Sequence, residues 1–129
     1  MAEGNTPKDV AVRYIESFAS GDPETVAANV TEDFVNNQSG ALGKGCETRA
    51  VYRERLKGFL GAFEGLQYEV KDVIEDGSKV AITYQMRAKS DGHPIDIPGV
   101  MVIEVRDGLV AERQDYWDGL TFLQQTKQA

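Results

Sequence analysis

Asp107-Gly108-Leu109-Val110-Ala111-Glu112-Arg113-Gln114-Asp115-Tyr116-Trp117-Asp118 opens on a tight-turn dipeptide and runs on as a strand. Asp-Gly favours two-residue hairpins because both positions tolerate a left-handed backbone. The same dipeptide stands upstream at Asp76-Gly77 and Asp91-Gly92, each time between β-rich runs. Residues 66–74, 79–88, 95–105 and 109–118 therefore read as a four-strand meander. Alternate residues of a strand share a face. In the last strand Arg113, Asp115 and Trp117 point one way, and Glu112, Gln114, Tyr116 and Asp118 the other.

Upstream of the meander the period changes from two to that of helices. Thr6 suits an N-cap, Pro7 the first helical position, and Asp9 the positive end of the dipole. Val10, Tyr14, Ile15 and Phe18 then recur at helical spacing. Gly21 ends that helix, and Asp22-Pro23-Glu24 starts a second, short one reaching about Val30. A brief extended piece, residues 34–38, places Asn36 and Gln38 on one face. Residues 39–45 form a Gly-rich loop without phosphate-loop spacing. A third helix spans about 47–63, with Val51, Tyr52, Leu56, Phe59, Leu60 and Phe63 as its apolar stripe. Residues 119–129 add a short turn, and residues 1–5 and 124–129 are expected to fray. Segregated helices and antiparallel strands mean α+β. The expected form is one domain over 1–129, in which a curved antiparallel sheet wraps a long helix and the N-terminal helices close a pocket.

The 129-residue chain has 41% hydrophobic and 27% charged residues and a net charge of -7. That acidity speaks against nucleic acid as a partner, since phosphate binding needs a basic face. It also speaks against an anionic membrane surface, and no apolar run approaches the ~20 residues that span a bilayer. The N-terminus lacks the basic and apolar regions of a signal peptide, and Cys46 is the sole cysteine. A reducing, cytoplasmic location is expected. His93, the sole histidine, reads as a turn residue, so no imidazole-based metal site is expected. Cys46 precedes the long helix, where a thiolate is stabilised, but no histidine base accompanies it in the sequence.

The chain resembles the nuclear-transport-factor-2-like superfamily, and within it the SnoaL-like group. The resemblance covers roughly residues 7–123. It rests on Arg13-Tyr14-Ile15-Glu16, Gly21-Asp22-Pro23-Glu24 and Val30-Thr31-Glu32-Asp33, on Gly45-Cys46-Glu47-Thr48-Arg49-Ala50-Val51, and on the 107–118 run. That group holds polyketide cyclases, limonene-1,2-epoxide hydrolases and ketosteroid isomerases, and also non-catalytic members. The likeness implies a conical pocket and a homodimer formed through the sheet face. Likeness to the epoxide hydrolases places their water-activating Asp at Asp115, but their Arg and second Asp fall at Ile82 and Tyr84, so that relay is incomplete. Likeness to the isomerases matches a carbonyl-binding Tyr to Tyr14, but puts their base near Asn37 or Gln38 and their second oxyanion donor near Gly99 or Val100. Likeness to the cyclases requires only an acidic pocket side chain, which Asp115 supplies.

Asp115 is thus the candidate catalytic residue, a proton shuttle. Tyr14, Asn36, Gln38, Tyr84, Arg113 and Trp117 are the candidates for substrate contact. Burial beside Trp117, Tyr14 and Tyr84 raises a carboxyl pKa, whereas a close Arg113 lowers it. If Arg113 reaches the rim, Asp115 is free to shuttle protons; if the two pair, Asp115 is a structural anion. The function expected is cofactor-free cyclase- or isomerase-like acid/base chemistry on a small, apolar, oxygenated ligand. The alternatives are a non-catalytic binder of such a ligand, or a protein-interaction module whose own side chains fill the pocket.

Overall fold

The computed structural model describes residues 5–128. The first helix, α1 (Pro7–Ser17), is capped as its sequence implies: the Asp9 amide donates to Thr6 Oγ1 at 3.2 Å. A 3-10 turn, Phe18–Ser20, follows it and ends at Gly21 with φ of 68°. Asp22 caps α2 (Pro23–Ala27), which is shorter than expected because Val30 already opens β1 (Val30–Gln38). A two-residue strand, β2 (Cys46–Glu47), leads into α3 (Arg49–Ala62). The meander follows as β3 (Phe63–Asp76), β4 (Lys79–Ser90), β5 (His93–Arg106) and β6 (Leu109–Trp117), and α4 (Gly119–Gln125) closes the chain.

Two of the Asp-Gly turns have positive φ at both central residues, 51° and 79° at Asp91-Gly92 and 53° and 76° at Asp107-Gly108. This is the primed geometry that matches strand twist. At the third, Asp76 is the last residue of β3, and Gly77-Ser78 makes the turn.

The six strands form one sheet in the order β2-β1-β6-β5-β4-β3. It is mixed rather than wholly antiparallel, because β1 and β6 run parallel. A repeat of two reveals a strand but not its partner's direction. On the inner face lie Val80, Ile82 and Tyr84 of β4 and Ile97, Met101 and Ile103 of β5, all buried. Helix α1 packs across β3 to β6, and α3 bridges β1 and β3. Tyr14, Ile15, Phe18 and Phe34 fill the space between them with at most 1% exposure. The outer face, expected to meet a second copy, carries Tyr116 and Glu112, both exposed.

Two further expectations need correction. Val51 is 44% exposed, since it shares a helix side with Arg55 and Gly58, while Tyr52 and Leu56 face inward. The C-terminal tail does not fray from 124 onward. Asp118 caps α4 through the Thr121 amide at 3.0 Å, Gln125 pairs with the Asp96 backbone, and Thr126 is buried. Residues 1–4 and 129, also expected to fray, lie outside the described residues. No helix among the described residues is long and apolar enough to cross a membrane.

Candidate functional site

A β-bulge sets the site. Glu104 pairs with Glu112 but Val105 with Val110, which leaves Ala111 as an extra residue in β6. The bulge shifts the alternation by one. Val110 points inward, as do Arg113 and Asp115 beyond the bulge, at 4% and 3% exposure. Beside them on β1, Asn36 is in register with Arg113, and Gln38 with Asp115.

Two buried charges cannot stay in a dry core without partners. Arg113 Nη2 donates to Asp115 Oδ2 at 2.5 Å, and its Nη1 to Tyr14 Oη at 2.9 Å. Tyr84 Oη donates to Asp115 Oδ1 at 2.6 Å. Tyr14 and Tyr52 share a hydrogen bond of 2.5 Å between their hydroxyls. The guanidinium also lies over the rings of Phe18 and Tyr14, 5.4 Å and 5.8 Å from their centroids. Burial works against the Arg113 charge, yet Tyr14, Asp115 and Tyr52 outweigh it and hold its pKa well above the ordinary value. Burial also pushes the phenols of Tyr14, Tyr52 and Tyr84 up, and at Tyr84 the Asp115 carboxylate adds to it. All three are O–H groups at neutral pH.

This cluster forms the polar floor of a cavity of about 470 Å³. Phe59, Phe63, Leu56 and Ile97 make apolar walls, and Phe122 and Leu123 of α4 close one side. Trp117 stands edge-on to Phe122 at 6.2 Å and donates from Nε1 to Gln38 Oε1 at 3.1 Å. Gln38 Nε2 in turn donates to Asn36 Oδ1 at 2.8 Å. A packed interaction module would fill this space with its own side chains.

Six of the seven expected site residues therefore line one cavity: Asn36, Gln38, Tyr84, Arg113, Asp115 and Trp117. Tyr14 does not. It has no exposed surface and braces Arg113 from behind, on the side away from the cavity wall. Helical spacing turned it inward, but spacing carries no information on which group its hydroxyl meets. Of the two arrangements open for Arg113 and Asp115, the structure has the close pair, the one expected to make Asp115 a structural anion. With one hydrogen bond from Arg113 on Oδ2 and one from Tyr84 on Oδ1, each oxygen still keeps a lone pair, so the pair orients the carboxylate without using up its capacity to accept.

The profile of the SnoaL-like domain family matches residues 11–113. The chain belongs to the SnoaL-like family. Its fold is that of NTF2-like and ketosteroid-isomerase-like proteins. A Catenulispora acidiphila protein of ketosteroid-isomerase-like fold, crystallised with trimethylamine, superposes with a TM-score of 0.86 at 15% identity, covering 96% of each chain. IdmH of Streptomyces antibioticus, a candidate polyketide cyclase, gives a TM-score of 0.80 at 24% identity over 95% of this chain and 99% of its own. TerC co-crystallised with polyporic acid gives 0.82 at 19% identity, covering 95% and 99% of the two chains. No curated protein sequence matches the chain at a significant level.

Sequence reasoning missed Tyr68 as a wall residue of this SnoaL-like cavity, and it gave Gly99 a different role from the one it has, which is to make room for Tyr84. Gly99 faces Tyr84 across the β4–β5 ladder and Trp117 across β5–β6. The Tyr84 side chain lies flat over it: a Cβ at Gly99 would fall 2.3 Å from Tyr84 Oη and 2.4 Å from its Cζ. A lone Gly inside a strand signals such a close approach. Gly99→Ala is expected to push the buried Tyr84 ring off Asp115 and to cost about 1–3 kcal/mol, the range for overpacked cores. Urea unfolding reads the loss, and an unchanged midpoint would contradict the close approach.

Cys46 differs from expectation. It lies in β2, opposite Asn36, and its side chain borders the cavity. Partial burial pushes the thiol up, and Arg55, which pulls it down, does not offset this. It is a protonated, sluggish thiol at neutral pH. Iodoacetamide is expected to label it more slowly than free cysteine; faster labelling would reverse this assignment.

Proposed function

We propose that this SnoaL-like chain performs cofactor-free proton-transfer chemistry on a small, apolar carbonyl compound, with Asp115 as the proton shuttle. One observation carries the reading: a buried carboxylate, oriented by Arg113 and Tyr84, forms the floor of a cavity walled largely by apolar side chains. Positioned acid/base groups in dry pockets are what such catalysis requires. The relatives crystallised with trimethylamine and polyporic acid support small organic ligands for this fold, and the candidate cyclase IdmH supports a cyclase-like reaction.

In an aldol-type ring closure, Asp115 takes a proton from the carbon next to a carbonyl. The C–H electron pair forms an enolate. The enolate carbon bonds to a second carbonyl carbon of the same molecule, whose oxygen becomes an alkoxide. That alkoxide takes the proton back from Asp115, and nothing else enters or leaves. Asn36, Gln38 and Trp117 orient further ligand oxygens.

The close Arg113–Asp115 pair favours a second reading, a non-catalytic binder, because a carboxylate already tied to a guanidinium serves well as a fixed anchor. Proton-for-deuteron exchange at the α-carbon of 2-tetralone in D₂O, followed by NMR, separates the two. Acceleration over buffer that disappears in Asp115→Asn supports catalysis. Saturable quenching of Trp117 fluorescence by 2-tetralone without accelerated exchange leaves the binder.

A further inference from the structure

Arg113 has a donor to spare. Nη1 and Nη2 reach Tyr14 and Asp115, but Nε is buried with no acceptor among the described residues. A buried donor left unpaired costs roughly 1–3 kcal/mol, more when charged, and native proteins rarely leave one so. Arg113 is 4% exposed and borders the cavity, so an acceptor from outside the chain arrives through that cavity.

Tyr68 lines the same cavity and packs on the same Phe18 ring as the guanidinium. It is opposite Met86 on the β3–β4 ladder. Its ring meets Phe18 edge-on at 5.2 Å, the same ring that the guanidinium covers, and Tyr84 edge-on at 5.0 Å. The Arg113 charge is felt at its hydroxyl, and a guanidinium has donors only, so it offers that proton no acceptor. Burial pushes this phenol up, which keeps it an O–H donor. Around the cavity Asp115 is the one acid among the described lining residues, against Lys44, Arg55 and Arg113, although the chain carries -7 overall. The cavity is thus locally suited to negative charge on a ligand.

We propose that Arg113 Nε and Tyr68 Oη form an oxyanion site that receives the substrate's carbonyl oxygen and holds it as it becomes an enolate oxygen. This rests on the proton-transfer reading and narrows its substrate to ketones with an acidic α-carbon, rather than epoxides or alcohols. Preorganised donors aimed at developing charge are the largest single contribution in many such sites. Tyr68 becomes a catalytic residue that touches the reacting oxygen, and Arg113 serves both Asp115 and the substrate.

The test uses 4-nitrophenol, whose absorbance reports its ionisation, and 4-nitroanisole, its methyl ether. Binding to the full chain is expected to lower the apparent pKa of 4-nitrophenol by at least one unit, so that phenolate binds at least tenfold tighter than phenol. Tyr68→Phe keeps the ring packing and is expected to shrink that shift several-fold while leaving 4-nitroanisole affinity unchanged. A wild-type shift of zero overturns the oxyanion site, whether or not the variant folds. So does a Tyr68→Phe variant that weakens both ligands equally. Failure of wild type to bind either compound overturns the oxyanion site and the pocket reading together, whereas nitroanisole binding without a nitrophenol shift overturns the oxyanion site alone.

Discussion

Arg113→Met is expected to cost the fold about 3–5 kcal/mol, the range for breaking a buried ion pair from one side. The Met side chain matches the aliphatic stem of Arg113, so little packing is lost along it. What goes is the guanidinium between the Tyr14 and Phe18 rings, together with two hydrogen bonds. Asp115, at 3% exposure, then keeps Tyr84 as its one charge-stabilising partner. Tyr14 keeps Tyr52. The asymmetry is the test. In the double variant Arg113→Met/Asp115→Leu no buried charge remains, and replacing such a pair with apolar groups is often neutral. Urea unfolding of the two variants, at constant slope, is expected to show the double variant recovering most of the loss. A single variant as stable as wild type would mean that the pair is not buried in solution.

Asp115→Asn is expected to slow α-proton exchange by roughly 10²–10⁴-fold, the usual contribution of a positioned acid/base group. The amide keeps the shape. Its oxygen still accepts from Arg113, and the Tyr84 hydroxyl can turn to accept from its nitrogen. The cavity and the Trp117–Gln38–Asn36 chain are untouched, so ligand affinity is expected to hold within a few-fold. A fall in rate with constant affinity marks an interaction used in the transition state. Equal losses in rate and affinity would reduce Asp115 to an anchor, and an unchanged rate would remove it from the chemistry.

The turn dipeptides made the meander legible, and alternation placed Asp115 and Trp117 correctly because both lie beyond the bulge. The same alternation puts Val110 on the outer face, whereas Ala111 absorbs a residue and turns Val110 inward. A bulge is decided by the pairing of two strands and leaves little trace in either alone. The family resemblance directed attention to Asp115 and Tyr14, and strand alternation to Arg113, but whether Arg113 pairs with Asp115 depends on what else surrounds the guanidinium. That surrounding is Tyr14 from α1, Phe18 from the 3-10 turn after it and Tyr52 from α3, each far from β6 in sequence. Tyr68 reads in sequence as one more aromatic on a strand, and only its place in the same cavity as Arg113, with its unpartnered Nε, singles it out. The α4 signal was present in Asp118 as a cap, but seven residues are too few for helical periodicity to show.

The parallel pairing of β1 with β6 also bears on how the chain comes into being. Tyr14 and Arg113 are 99 residues apart, Trp117 and Gln38 79, and Tyr84 and Asp115 31. Contacts of such long separation slow folding. During synthesis α1 to α3, β1 and the β3–β5 hairpins all leave the ribosome before β6. Until β6 slots between β1 and β5, the inner faces on both sides stay open and the hydroxyls of Tyr14 and Tyr84 lack their β6 partners. The last strand to be made is therefore the one that at once completes the sheet and brings in both charges of the site. A chain released short of it would present two unpaired strand edges, a species prone to aggregate or to be degraded. Folding and the assembly of the buried Arg113–Asp115 cluster are then one event, and no partly folded form carries the complete site.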